Sequence, residues 1–136
     1  MKVEGGCHCG KIRFEADVEP ESTSICHCTD CQTLSGSAYR ANVRTTRGGF
    51  RLVSGEPRIY VKTAESGTKR AHAFCPDCGT PIYATSVTNP EIYGLRLGTL
   101  RQRAELRPKW MGWTRSMQGW VTDLTGLQRY EKQRPS

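Results

Sequence analysis

All seven cysteines of this chain lie in three short clusters, and that distribution constrains the fold more than any other feature. Cys7-His8-Cys9 comes first, Cys26-His27-Cys28-Thr29-Asp30-Cys31 follows, and Cys75-Pro76-Asp77-Cys78 comes last. An odd number of thiols cannot all pair as disulfides. A Cys-x-Cys pair is also too closely spaced to bridge internally without strain. The stretch from Met1 to Cys7 carries no apolar run of the kind a secretory signal needs, so the expected location is the cytoplasm. Thiols stay reduced there, and clustered ones are more often metal ligands than disulfides.

Cys75-Pro76-Asp77-Cys78-Gly79 has the spacing of a zinc knuckle, because two intervening residues let a tight turn aim both sulfurs at one ion. Gly79 suits the backbone angles of such a turn. A structural zinc is four-coordinate, so the knuckle needs two more ligands, and Cys7-His8-Cys9-Gly10 is the natural complement. A site of Cys7, Cys9, Cys75 and Cys78 would be closed. It would clip the N-terminus to the middle of the chain. Cys26, Cys28 and Cys31 then remain as three ligands with one open position, the mark of a catalytic zinc. Three thiolates leave such an ion electron-rich, which favours thiol chemistry over hydrolysis. Spacing also permits other partitions, such as Cys7, Cys9, Cys26 and Cys28 around one ion, or His27 as a fourth ligand closing the second site. A surface or substrate-facing position is the expectation for His27 and for His8, and a plain strand position for His72.

Short alternating stretches separated by turn residues predict an all-β domain spanning residues 1–136. Ile12, Phe14, Ala16 and Val18 share one face of a half-buried strand that Pro20 is expected to end. Thr33 to Ser37 reads as a turn or one helical turn. Ala38 to Val43 and Phe50 to Val53 read as separate strands joined by a turn at Arg47-Gly48-Gly49. Ile59 to Val61, Lys69 to Phe74, Ile82 to Val87 and Ile92 to Leu97 complete the set. Pro108, Trp110, Met111, Trp113, Met117 and Trp120 are expected to plug the sheet. Leu124, Leu127 and Tyr130 would finish a short helix or strand. No apolar run is long enough to form a transmembrane helix.

The formal net charge is +7. Residues 101–136 hold eight Lys and Arg against three Asp and Glu, whereas residues 1–100 hold twelve against ten. Such a basic C-terminal region favours anionic partners, and arginine supplies fourteen of the twenty positive charges. Arg40, Arg44, Arg107 and Arg115 are the expected grips for substrate carboxylates. Tyr39 with Trp110 or Trp113 would wall a pocket, and Asp30 and His27 lie near the central cysteines.

The segments Gly6 to Glu15, Cys26 to Cys31 with Ser35-Gly36-Ser37-Ala38, and Phe74 to Thr80 resemble the glutathione-dependent formaldehyde-activating enzyme family, a group that includes centromere protein V. The later Gly98-Thr99-Leu100 and Trp110 to Trp120 region is similar as well. The resemblance implies a β-tent zinc fold with two zinc ions per chain. It places a structural zinc on Cys7, Cys9, Cys75 and Cys78 and a catalytic zinc on Cys26, Cys28 and Cys31. It implies a carbon–sulfur lyase acting on a thiol–carbonyl adduct such as S-(hydroxymethyl)glutathione, with glutathione as cosubstrate. Two positions depart from the family pattern: Gln32-Thr33 stands where an arginine is common, and Arg101-Gln102-Arg103 where an aspartate is common. The expected partner is a small thiol or thiol adduct rather than a membrane or nucleic acid, with homo-oligomerisation left open. The competing reading is a non-catalytic, zinc-stabilised binding module whose basic C-terminal region engages an anionic partner.

Overall fold

A computed structural model describes residues 1–136. The chain forms an all-β fold: β1 (Lys2–Gly6), β2 (Arg13–Cys26), β3 (Arg40–Ser54), β4 (Arg58–Thr63), β5 (Lys69–Phe74), β6 (Pro81–Ser86), β7 (Gly94–Arg96) and β8 (Trp110–Gly112). One short helix, α1 (Thr29–Ser35), follows β2. The strands form one sheet in the order β1-β2-β3-β7-β6-β5-β4, all antiparallel neighbours, and β8 pairs in parallel with β2. No helix is long and apolar enough to cross a membrane.

Alternation along the strands builds the core. Phe14, Ala16 and Val18 of β2 point inward, as expected, and meet Val3, Val43, Ile82, Leu95, Leu100 and Leu106. A ring stack backs this core, with Phe50 4.5 Å from Tyr93 and 5.2 Å from Tyr83. Burial of these side chains from several strands is the dominant favourable contribution to folding.

Besides shifts of one or two residues at several strand ends, three features differ from the expectation. β2 does not end at Pro20 but runs on to Cys26. Its pairing with β3 shifts register between Glu19 and Ser24, so Pro20 sits where no ladder N–H is required. β3 is one strand of 15 residues rather than two, because Arg47-Gly48-Gly49 forms an irregularity within the strand instead of a reversal. Gly48 takes a φ of 68°, the conformation of a bulge glycine. The helical turn begins earlier than expected, at Thr29, with Cys28 as its N-cap.

The C-terminal aromatic segment is not a plug. Trp110, Trp113 and Trp120 are 56%, 50% and 59% exposed. β8 docks through its backbone on β2, and the strand side chains already fill the interior. Leu124, Leu127 and Tyr130 are likewise exposed, in a segment of turns and bends without helix or strand.

Candidate metal centres and an arginine-lined cleft

The topology delivers the cysteines to two places. Cys7 and Cys9 leave β1 in a reversal at Gly10, whose φ is 84°. Cys75 and Cys78 occupy the connection between β5 and β6, where Gly79 (φ 78°) donates its amide to the Cys75 carbonyl at 2.8 Å. The sulfurs of Cys7, Cys9, Cys75 and Cys78 all lie within 4.8 Å of one another. Cys7 and Cys9 are 3.5 Å apart, and Cys9 and Cys75 are 3.8 Å apart. Tetrahedral thiolate coordination with metal–sulfur bonds of about 2.3 Å calls for roughly this spacing. The Ile12 amide donates to the Cys7 sulfur at 3.2 Å. The Thr80 hydroxyl, 3.2 Å from the Cys78 sulfur, and the Thr80 amide lower the Cys78 thiol to about 5. The His8 amide donates to the same Thr80 hydroxyl, tying the two halves together at 3.1 Å.

Cys26, Cys28 and Cys31 form the second cluster, again with all sulfurs within 4.8 Å. β2 ends at Cys26, and α1 begins immediately after Cys28. The Cys31 amide donates to the Cys28 sulfur at 3.2 Å, so this sulfur caps the helix while remaining in the cluster. Cys26 lies 3.4 Å from Cys28. Its thiol is lowered to about 5, chiefly by a hydrogen bond with the Cys31 thiol, then by the Cys28 amide and thiol and the charge of Lys62. The Cys31 thiol is pushed strongly upward by the same contact with Cys26 and by burial. Both cysteine clusters have the donor geometry to hold a metal ion.

His27 is not at the surface. It is 1% exposed, because alternation between its cysteine neighbours turns it inward. Its ring meets Tyr39 edge-on at 5.5 Å, and Nε2 contacts the Met111 sulfur at 3.4 Å. It is absent from the donor cluster. Gln32 locks this loop: its side-chain amide donates to the His27 carbonyl at 2.8 Å and to the Ser116 carbonyl at 2.9 Å, and its oxygen accepts from Gln118 at 2.9 Å. Asp30 pairs with Lys62 at 3.0 Å and is engaged there.

A cleft of about 610 Å³ opens beside Cys26, with Trp110, Trp113, Arg44, Arg47, Arg70 and Arg96 in its wall. Arg47 is paired with Glu91, leaving Arg44, Arg70 and Arg96 without a carboxylate partner. Arg70 is held below the usual guanidinium value by burial and by the charge of Arg44. Of the four arginines expected from the sequence to grip substrate, Arg44 lines the cleft and Arg40 is buried against the Cys31 thiol. Arg107 is exposed and stands outside the cleft wall. Arg115 lies 4.9 Å above the Trp113 ring, also outside the wall. Sequence reasoning missed Arg70 and Arg96, since a charged residue in an alternating strand reads as solvent-facing. His72 is half-buried, its Nδ1 3.1 Å from Arg96 and its pKa lowered to about 4 by burial and by the charges of Arg96, Arg40, Lys62 and Arg70.

Comparison with known proteins agrees with this architecture. Residues 2–116 match the family model described as glutathione-dependent formaldehyde-activating enzyme. An uncharacterised lyase of Schizosaccharomyces pombe is 31% identical over 82 residues, covering 60% of this chain and 56% of that protein. A Halomonas elongata protein provisionally named as a glutathione-dependent formaldehyde-activating enzyme is 28% identical over 98 residues, covering 68% of this chain and 61% of that protein. The chain therefore spans somewhat over half the length of these curated relatives. A Rhodobacter sphaeroides protein of known crystal structure shares the fold, with a TM-score of 0.59 and 23% identity over 79% of this chain and 98% of that one. The chain belongs to the glutathione-dependent formaldehyde-activating enzyme family.

Proposed function

We propose that this protein is a zinc-dependent carbon–sulfur lyase that makes and breaks the adduct of a small thiol with a carbonyl compound. The observation that carries this reading is the three-thiol cluster, one of whose members, Cys26, lines an arginine-rich cleft. Cys7, Cys9, Cys75 and Cys78 would hold a structural zinc with four thiolates. Cys26, Cys28 and Cys31 would hold a second zinc with three. When bound there, zinc supplies a position for a substrate sulfur or carbonyl oxygen and the positive charge to stabilise it.

The chain's own residues do the rest. Arg44 and Arg70 raise the local concentration of an anionic thiol and orient its carboxylates, since a guanidinium fork matches a carboxylate in two hydrogen bonds. Trp110 and Trp113 give the cleft an apolar wall. Gln32 holds the cysteine loop against the 114–118 segment, so the three sulfurs keep their mutual geometry. In the addition direction, the thiol sulfur forms a bond to the carbonyl carbon. The carbon–oxygen π pair moves onto oxygen, and the proton lost by the thiol ends on that oxygen. Cleavage reverses each step. Glutathione is the thiol that the family's description favours, and S-(hydroxymethyl)glutathione is the corresponding adduct.

The test is exchange spectroscopy on formaldehyde and glutathione, with wild-type and C28A proteins. Acceleration by the wild type and none by C28A, whose spectrum remains that of a folded protein, is the expected result. No acceleration over the uncatalysed exchange would rule out formaldehyde and glutathione as the substrate pair.

A further inference from the structure

Arg40 is 5% exposed, yet its Nε and Nη2 groups donate to nothing in the protein. The buried Nε of Arg96 is likewise without an acceptor. Leaving charged donors buried and unused is costly, and native folds pair them or use them. Arg96 makes two other contacts, to the Asn42 side-chain oxygen at 2.7 Å and to His72, and both partners are neutral. Burial first, then the charge of Arg40, hold the Arg96 guanidinium down to about 9. Arg40 lies against the Cys31 thiol, and Arg96 shares the cleft wall with Cys26. The two arginines also jointly line two smaller cavities, of about 470 and 300 Å³.

Charge alone does not explain the pair. Three thiolates around a divalent ion carry a net charge near −1, and two guanidinium groups bring +2. Lys62 adds a further charge, but Asp30 offsets it. Counting only the ion, its three thiolates and these two guanidinium groups, the surplus is one positive charge, which the unpaired Arg44 and Arg70 of the cleft wall increase, and three buried donor atoms stay free beside the cysteine cluster. A carboxylate would offset that surplus and accept those hydrogen bonds.

We propose that Arg40 and Arg96 form a binding site for a carboxylate carried on the reacting carbon itself, so that the centre takes aldehydic or 2-oxo acids as carbonyl substrates in addition to an uncharged aldehyde. The adduct would have the connectivity S–C–COO⁻, in contrast to the uncharged hydroxymethyl group derived from formaldehyde. This inference rests on the thiol-adduct reading of the same centre. The bond changes are the same as for any thiol addition: S–C forms, the C=O π pair goes to oxygen with the thiol's proton, and the carboxylate passes through unaltered.

Mercaptoacetate has the S–C–COO⁻ connectivity and is the probe. 2-Mercaptoethanol is its neutral analogue, and 3-mercaptopropionate moves the carboxylate one carbon further from sulfur. Each is titrated by calorimetry into zinc-loaded wild-type, R96Q and R40Q proteins, after metal content and circular dichroism confirm that the variants are folded and loaded. The expected result is mercaptoacetate binding at least tenfold tighter than either of the others to the wild type, with the preference falling to less than threefold in R96Q. R40K, which keeps a charge, should retain more of the preference than R40Q. Equal affinities for the three thiols in the wild type, or a preference unchanged in both R96Q and R40Q, would overturn the carboxylate site while leaving the thiol-adduct reading intact. Tighter binding of 3-mercaptopropionate would also overturn it, since that places the anion on the thiol half. Binding of none of the thiols would overturn both readings together.

Discussion

Gln32 does at the residue level what a longer arginine could not do in the same way. Its two-headed amide bridges the His27 and Ser116 carbonyls and accepts from Gln118. Gln32→Ala would strip donors from two partly buried carbonyls, an expected loss of about 1–3 kcal/mol by urea denaturation of the metal-loaded protein. His72 sets a second expectation. Its pKa in the folded chain is about 4, against an ordinary imidazole value near 6.5. The unfolded chain therefore takes up this proton first as pH falls. The stability gained by keeping His72 neutral is complete above about 6.5 and is lost as pH falls toward about 4. H72Q cannot titrate, so its midpoint temperature should vary less with pH across that window than the wild type's. His72 looked like a plain strand histidine in the sequence, and it does sit in β5. Its surroundings were illegible because Arg96 arrives from a strand 24 residues away in sequence.

Elements were read more securely than their ends. The β5 strand matches its expected span, and the alternation of β2 correctly assigned its buried face. Pro20 and Gly48 were misread because a bulge and a turn use the same residue types. What separates them is the partner strand, which local sequence does not contain. Tryptophan-rich composition was misread in a similar way: β8 is held by its backbone on β2, so hydrophobicity gave the wrong side-chain placement. β1 shows why the N-terminal cysteine pair is held so firmly. Gly5 bridges to Leu100, and a Cβ there would come within 2.6 Å of both the Phe14 ring and the Thr99 carbonyl oxygen. Gly5→Ala should therefore destabilise the metal-loaded protein by about 1–3 kcal/mol, measured by thermal or urea unfolding, as overpacking against backbone does.

On the scale of the whole molecule, the seven cysteines divide into a group of four and a group of three, each with sulfurs close enough to share an ion. That division was partly legible: the Cys75-x-x-Cys78 knuckle and the Cys7-x-Cys9 pair favoured it, whereas spacing alone also allowed Cys7, Cys9, Cys26 and Cys28 around one ion. The cationic cleft was not, because Arg44, Arg70 and Arg96 come together only through the β3-β7-β6-β5 order. The two clusters should differ in consequence. C78S, which breaks the clip between the N-terminus and the β5–β6 connection, should lower the unfolding temperature far more than C28A does. The most direct test of the account is a chelator titration of purified protein, with metal counted at each step alongside adduct exchange and folded content. The account predicts two zinc ions per chain: one released early with loss of exchange activity and little loss of structure, the other released late together with unfolding. A protein that holds a single ion, or whose second ion can be removed only by unfolding it, would contradict a reactive three-thiol centre.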